Sequence, residues 1–195
     1  MFNSTSFSLN RKYKDSLFRL LFSESKENAL SLYNALNETN YDNPDELEMT
    51  TLDDVIYLKQ KNDISFIIGN TLNLYEHQST FCPNMPLRGL FYFADLLRQR
   101  FKVGERIYSR KLVTIPTPSY IVFYNGQDKK LNEDILKLHL SDAFEVPDHS
   151  GEFEWTATIV NINSGRNQKL KESCKILSDY CTFVDTLRKN RSVFE

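Results

Sequence analysis

The sequence predicts an α/β fold in which helices pack on a mixed β-sheet. Apolar residues recur every three or four positions near the N-terminus, between residues 87 and 101, and near the C-terminus, which is the helical period. Short runs rich in Ile, Val, Phe and Tyr lie between those stretches and are typical of strands. Helices and strands in this order pack as layers around a common sheet.

The composition is that of one ordinary globular domain. The chain has 195 residues, of which 41% are hydrophobic and 26% charged, so a core can form without a disulfide. We expect residues 1–10 to be a disordered polar tail and residues 11–195 to form a single domain that ends in a long helix. The net charge of −2 argues against a strongly basic nucleic-acid binder but allows a nuclease with a local basic rim.

The cysteines and the hydropathy pattern predict a cytoplasmic protein without a membrane span. Cys82, Cys174 and Cys181 are odd in number, form no CxxC pair and follow no expected signal peptide, which favours free thiols in a reducing compartment. Cys174 and Cys181 lie one heptad apart in an apolar helical pattern and are expected in the core. The apolar runs are shorter than the roughly 20 residues that span a bilayer.

The N-terminal region predicts two helices, a loop and a strand. KDSLFRLLFSESKENALSLYNAL carries apolar residues at helical spacing in two runs, and Ser23 or Ser25 is placed to cap the second helix. NETNYDNPDELEMT is polar, contains Pro44 and is expected to be a loop. DDVIYLKQ, residues 53–60, is a short strand candidate.

A hairpin and a long helix follow. Two apolar strands, residues 63–68 and 72–79, flank Gly69-Asn70, a turn pair that tolerates positive φ. Residues 87–101 have the pattern of a long amphipathic helix. Further along, we predict a basic connection for GERIYSRKLVTIPTP, strands for SYIVFYNG and FEWTATIVNIN, no decided structure for LKLHLSDAF, and one final helix over residues 170–184.

The hairpin is predicted to bring two acids face to face. Counting outward from the Gly69-Asn70 turn along both strands places Asp63 opposite Glu76, and Gln78 projects from the same face as Glu76. Opposed like charges destabilise a sheet, and a divalent cation relieves that repulsion. Since Mg²⁺ prefers oxygen ligands, often one or two carboxylates, Asp63 and Glu76 are candidate ligands of Mg²⁺ or Mn²⁺.

Other interpretations of the acid pair are open at this point. One carboxyl can stay protonated by sharing a proton with the other, or the acids can form a structural ion-pair cluster with Lys59, Lys61 or Arg88. If a metal is bound, it activates water and stabilises the charge of an in-line attack on a phosphodiester, while uncharged Gln78 orients water or a phosphate oxygen. The candidate catalytic residues are then Asp63, Glu76 and Gln78.

Residues around the hairpin extend the candidate site. Arg88 and Tyr92 lie one turn apart on the predicted long helix, where they either contact a scissile phosphate or pack the helix on the sheet, with Arg88 neutralising the acids. His77 alternates away from Glu76, so we expect a hydrogen-bonded core residue on the opposite face. A basic segment either follows a DNA backbone or is solvated surface: Lys102, Arg106, Arg110 and Lys111.

The same region resembles a known nuclease family. NDISFIIGNTLNLYEHQSTFCPNMPLRGLFYFADLL, residues 62–97, is similar to the recombination-promoting nuclease and transposase-associated branch of the PD-(D/E)XK nuclease superfamily. In that branch an Asp on one strand is followed by Glu-x-Gln on the next, and here those residues are Asp63, Glu76 and Gln78. The segments KYKDSLFRLLF, YIVFYNG, LKLHLSDAF and VNINSGRNQKLKESCKILSDYCTFV match as well, so the resemblance covers roughly residues 10 to 188.

The resemblance implies a restriction-endonuclease-like core with flanking helices and Mg²⁺-dependent DNA cleavage linked to mobile elements or phage defence. We therefore predict a metal-dependent DNA endonuclease. The alternative, which the slightly acidic balance favours, is a catalytically weak or inactive protein on the same scaffold that binds or inhibits a protein partner. A homodimer that builds its DNA cleft from two copies is a third arrangement.

Overall fold

The computed structural model describes residues 12–50, 63–101, 107–127, 131–148 and 150–191. Over these ranges the chain forms a six-stranded mixed sheet flanked by five α-helices, so the predicted mixed α/β class is confirmed. The predicted N-terminal tail and the strand candidate DDVIYLKQ lie outside the described residues.

The helices begin and end close to the positions that the sequence pattern predicts. At the start of the second, the Ser25 side chain accepts a hydrogen bond from the backbone N–H of Asn28 at 3.2 Å, as a capping serine does. The prediction of one final helix was wrong, because Cys174 has an extended backbone (φ −128°) that divides it in two. The helices are α1 (Lys12–Ser23), α2 (Lys26–Asn37), α3 (Met85–Phe101), α4 (Gln168–Ser173) and α5 (Lys175–Arg191).

The strands form one sheet in the order β1-β2-β3-β4-β6-β5. The central strands β3, β4 and β6 run parallel, whereas β1, β2 and β5 each pair antiparallel with a neighbour. The strands are β1 (Glu48–Met49), β2 (Ile64–Ile68), β3 (Thr71–Gln78), β4 (Thr117–Tyr124), β5 (Ile135–His139) and β6 (Thr156–Asn161).

Two short segments differ from the sequence prediction or complete it. Glu48 and Met49 were predicted to be loop but pair with Ile67 and Phe66 as an edge strand, which is too short to show an alternating pattern. The undecided LKLHLSDAF stretch contributes β5 and then the 3₁₀ turn Leu140–Ala143.

The predicted hairpin and its register are confirmed. Gly69 (φ 53°) and Asn70 (φ 65°) both have positive φ, the signature of a type I′ turn whose twist matches that of the two strands. Ile64 opposes Tyr75 at the far end of the ladder, as counting outward from the turn requires. The next residue outward on each strand is Asp63 on one side and Glu76 on the other.

The sheet separates two hydrophobic cores. One lies between the sheet and helices α1, α2, α4 and α5, and it includes both buried cysteines, so the prediction that Cys174 and Cys181 are core residues is confirmed. The other lies under α3 and contains Leu74, Tyr120 and Val122. Within the described part of the chain, no helix is both long and apolar enough to cross a membrane.

Candidate functional site

Asp63 and Glu76 meet at the open end of the β2–β3 hairpin. The backbone N–H of Asp63 donates to Oε1 of Glu76 at 3.0 Å, and the backbone N–H of His77 donates to Oδ2 of Asp63 at 2.7 Å. Each carboxylate thus satisfies a main-chain donor of the other strand just beyond the last ladder pair. Glu76 is 1% exposed and Asp63 is partly buried. The structure brings the two predicted acids together, while their chemical role stays a prediction.

Arg88 of α3 places a positive charge directly on this pair. Its Nη2 donates to Oε2 of Glu76 and to the hydroxyl of Tyr92, both at 3.1 Å, and its Nη1 donates to Sδ of Met85 at 3.3 Å. Burial disfavours the charged guanidinium, but the Glu76 carboxylate and the Tyr92 hydroxyl together raise the pKa of Arg88 above its usual value. Arg88 therefore supplies part of the charge relief that a metal was expected to supply.

Arg88 satisfies one of the interpretations that the sequence left open. A structural ion pair between Glu76 and Arg88 exists. Lys59 and Lys61, the other two candidate partners of the acids, lie outside the described residues. The ion pair and a metal are alternative ways to balance the same carboxylate.

Gln78 lies at the carboxyl end of β3, on the same face of the sheet as Glu76. Its backbone carbonyl accepts a hydrogen bond from the N–H of Asn125, which directly follows β4, at 3.0 Å. The carboxyl ends of parallel strands β3, β4 and β6 thus form one edge, and open α/β sheets bind ligands at such edges. Gln78 thus shares a strand and a face with Glu76, and its contact with water or a phosphate oxygen stays a prediction.

Tyr92 and Tyr120 add two phenols on the α3 side of the site. Burial, followed by the charge of Glu76, raises the pKa of Tyr92 and raises that of Tyr120 well above its usual value, so both hydroxyls stay protonated at neutral pH. Tyr120, in the predicted strand SYIVFYNG, lies in the core, since it is 4% exposed. Its closeness to the acids was not predicted, because it depends on the parallel pairing of β3 with β4.

Gly89 explains how α3 comes so near the sheet. A Cβ atom at this position would lie 2.3 Å from Cε1 of Tyr120 and 2.8 Å from Nε1 of Trp155. A glycine inside a helix costs roughly 0.5–1 kcal/mol relative to alanine, so its presence needs a packing reason. Close approach of the helix to these two rings is that reason, and the interior glycine was the one sequence signal that pointed to it.

His77 faces the other core, as predicted. Its Nε2 lies 2.8 Å from the hydroxyl of Tyr180, and its ring stacks on Phe18 with centroids 5.1 Å apart. The side-chain amide of Asn125 donates to the same Tyr180 hydroxyl at 3.2 Å, so the hydroxyl proton is available to His77. The prediction of a hydrogen-bonded core histidine is confirmed.

The described residues that bracket the predicted basic segment, Phe101 and Thr114, line one pocket with Asn70 of the hairpin turn, at the opposite end of the hairpin from the acids. Thr117, where β4 begins, donates its N–H to the carbonyl of Asn70 in the turn at 2.9 Å. From Thr71, which pairs with Thr117, strand β3 rises roughly 17 Å to Glu76. Arg110 and Lys111 are exposed, whereas Lys102 and Arg106 fall in a range that the structure does not describe. Both bracketing residues are thus distant from the acid pair, and a contact of the basic segment with DNA stays a prediction.

The residues present fit a divalent cation chemically. Two carboxylates and one amide supply oxygen donors, which Mg²⁺ prefers, and Glu76 already carries a cationic partner in Arg88. Among the described residues, no group of three or more His, Cys, Asp and Glu side chains is arranged to hold a metal. An ion at Asp63 and Glu76 would thus complete its ligands with Gln78, water or substrate oxygen.

Comparison with known proteins finds no match among family models, curated proteins or solved structures. The fold and the site are those of a mixed α/β domain with paired acids, Glu76 buried and Asp63 partly buried, near the carboxyl ends of its parallel strands.

Proposed function

We propose that this protein is a metal-dependent DNA endonuclease with a restriction-endonuclease-like PD-(D/E)XK core, acting in the cytoplasm in recombination or on mobile elements. The observation that supports this best is the meeting of Asp63 and Glu76 at one hairpin end, with Gln78 on the same face. The resemblance of residues 62–97 to the recombination-promoting nuclease branch agrees with that arrangement.

In this proposal the hairpin side of the site holds the cation. Asp63 and Glu76 bind Mg²⁺ or Mn²⁺, which when bound activates water and neutralises charge on the phosphate. Gln78 carries no charge, so it orients water or a phosphate oxygen through hydrogen bonds and does not act as a base.

The α3 side of the site holds the substrate. Arg88 is within hydrogen-bonding distance of Glu76 and of Tyr92, and a guanidinium is suited to bidentate contact with phosphate. Arg88, with Tyr92 one turn away on the same helix, would bind the DNA phosphate.

Cleavage of plasmid and linear duplex DNA by the purified protein tests this function. With Mg²⁺ or Mn²⁺ we expect the wild type to cut, and Asp63→Ala and Glu76→Ala to fall to the rate of a protein-free control. Glu48→Ala is the matched control, because Glu48 is an exposed acid of the same sheet bonded to an arginine of α3, Arg100, at 2.9 Å. Equal cleavage by wild type and Asp63→Ala, or none by either with any divalent metal, would count against the proposal.

A second candidate function follows from the Arg88 contact. Both oxygens of Glu76 accept hydrogen bonds from protein groups, an arrangement that is complete without a metal. A catalytically weak or inactive protein on this scaffold, which binds or inhibits a protein partner, fits that arrangement. A defined complex that survives both Asp63→Ala and Glu76→Ala, together with no calorimetric heat on Mn²⁺ titration, would favour it. Light scattering tests the proposed homodimer in the same samples.

A further inference from the structure

We propose that the hydroxyl of Tyr120 is a substrate-binding group of this site, a hydrogen-bond donor that receives a non-bridging oxygen of the DNA phosphate. The inference rests on the proposed function and adds a residue to it that neither the hairpin nor the family resemblance supplies. It starts from one buried polar atom.

The Tyr120 hydroxyl is buried and has no hydrogen-bond partner within the part of the chain that the structure describes. The residue is 4% exposed, so bulk water does not serve the hydroxyl either. Buried polar groups in native proteins almost always have a partner, and an exception needs an explanation. A ligand oxygen that binds there is such an explanation.

The register of the sheet places Tyr120 on the same face as the acid pair. Tyr120 of β4 lies beside Leu74 of β3, and Glu76 follows two residues later on the same face. The charges of Glu76, Arg88 and Asp63 all act on the phenol. Tyr120 therefore lies beside the charged groups of the site, although its ring is part of the hydrophobic core.

Because Gly89 has no side chain, α3 packs directly on the ring of Tyr120. The missing Cβ would lie 2.3 Å from Cε1 of that ring, so any larger residue would push the helix and the tyrosine apart. Arg88, the neighbour of Gly89, carries the guanidinium that bonds to Glu76 and to Tyr92. One short stretch of α3 thus gathers Arg88, Tyr92 and Tyr120 against the acids.

The chemistry of these three side chains matches a phosphate diester, whose non-bridging oxygens accept hydrogen bonds and donate none. Arg88 is a permanent cation with several N–H donors. The Tyr92 hydroxyl accepts from Arg88, which leaves its own proton available, and the protonated Tyr120 hydroxyl is a donor as well. The hydrogen-bond donors on the α3 side would thus bind phosphate oxygens, while the carboxylates on the hairpin side would bind the cation.

The test compares Tyr120→Phe with Tyr75→Phe in thermal unfolding and in DNA binding. Tyr75 is a matched control because it is a fully buried tyrosine of the same sheet that faces the other core. Its hydroxyl also has no partner of good geometry, although the Asn37 side chain is near enough to favour its ionised form. Binding is measured by the anisotropy of a short fluorescent duplex, first with EDTA and then with Ca²⁺.

We expect Tyr120→Phe to melt at the wild-type temperature or above, because the hydroxyl loses no protein partner. We expect its DNA affinity and its kcat/KM for cleavage to fall about three- to tenfold, the effect of one neutral hydrogen bond. The salt dependence of binding should stay unchanged, because the hydroxyl has no charge, whereas Arg88→Gln should reduce the slope by about 0.9.

Each other outcome overturns the inference in a distinguishable way. Wild-type affinity in Tyr120→Phe means that the hydroxyl does not contact DNA. A lower melting temperature means that it has a structural partner. An equal loss in Tyr75→Phe means that the effect is not specific to the site. A wild type that neither binds nor cuts DNA removes the proposed function and the inference together.

Discussion

The Arg88→Gln variant tests two things: how much the ion pair with Glu76 stabilises the fold, and whether a metal ion can take the place of the guanidinium. The Glu76 side chain is 2% exposed and that of Arg88 is 36% exposed. Exposed pairs contribute up to about 1 kcal/mol, whereas breaking a fully buried pair costs about 3–5 kcal/mol. Solvent screening on the arginine side places this pair between those limits. We expect Arg88→Gln to lose about 2 kcal/mol, or about 4–8 °C in melting temperature for a chain of this size.

The decisive measurement is the same melt with added Mn²⁺ or Mg²⁺. If Glu76 holds a divalent ion as proposed, loss of its guanidinium partner should tighten that binding, so the metal should stabilise Arg88→Gln more than the wild type. A metal present at one hundred times its dissociation constant adds about 2.7 kcal/mol, enough to restore the loss. Arg100→Gln is the matched control on the same helix, since its exposed pair with Glu48 should cost less and gain nothing specific from the metal.

Two results would refute the reasoning. An Arg88→Gln variant as stable as the wild type without metal shows that the guanidinium does not balance the buried carboxylate. A destabilised variant that Mn²⁺ and Mg²⁺ stabilise no more than the wild type shows that no metal takes the place of the guanidinium at Glu76. The second result would favour the protein-binding alternative.

Three further predictions concern packing and thiol reactivity. Gly89→Ala should cost about 1–3 kcal/mol in chemical denaturation through its clash with Tyr120, outweighing the gain in helix propensity. Tyr180→Phe should cost about 1–3 kcal/mol in the same assay, because it leaves two buried side chains without their shared partner. Burial raises the pKa of Cys181 to about 12, so iodoacetamide should label partly exposed Cys82 well before Cys181 in mass-spectrometric time courses.

The glycine and cysteine predictions each have a control. In a Tyr120→Ala background the cost of Gly89→Ala should fall but not vanish, because Nε1 of Trp155 still lies 2.8 Å from the added Cβ; an undiminished cost would place the clash elsewhere. Labelling in denaturant should equalise the cysteines; early labelling of Cys181 in the native protein would contradict its burial. Because the Cys181 pKa is raised in the folded state, its contribution to stability is present below about pH 9 and is lost as the pH rises toward 12.

The features that local sequence determines were predictable. A two-residue Gly-Asn turn fixes the register of its hairpin, so the positions of Asp63 and Glu76 followed from counting alone. The capping by Ser25 likewise depends on residues three apart. Arg88 was one of three nearby cations named as possible partners of the acids, and it lies only 12 residues after Glu76.

The features that distant pairing determines were not predictable. Tyr120 approaches the acids because β4 lies parallel beside β3, some forty residues earlier in the chain, and no local pattern encodes that register. The break at Cys174 was hidden for a related reason. Leu170 of α4 and Leu177 of α5 pack in the same core, so the apolar period continues across the break.

The peptide at His77 joins the two sides of the sheet. Its N–H holds the carboxylate of Asp63, while its ring is held by Tyr180 of α5 in the opposite core. Substitutions in α5 can therefore affect the acid pair. A repacking that moves the His77 ring also moves the His77 backbone N–H that donates to Asp63. Residues far from the acid pair are thus constrained by it. Surveys of tolerated substitutions should find α5 near Tyr180 as restricted as the hairpin end itself.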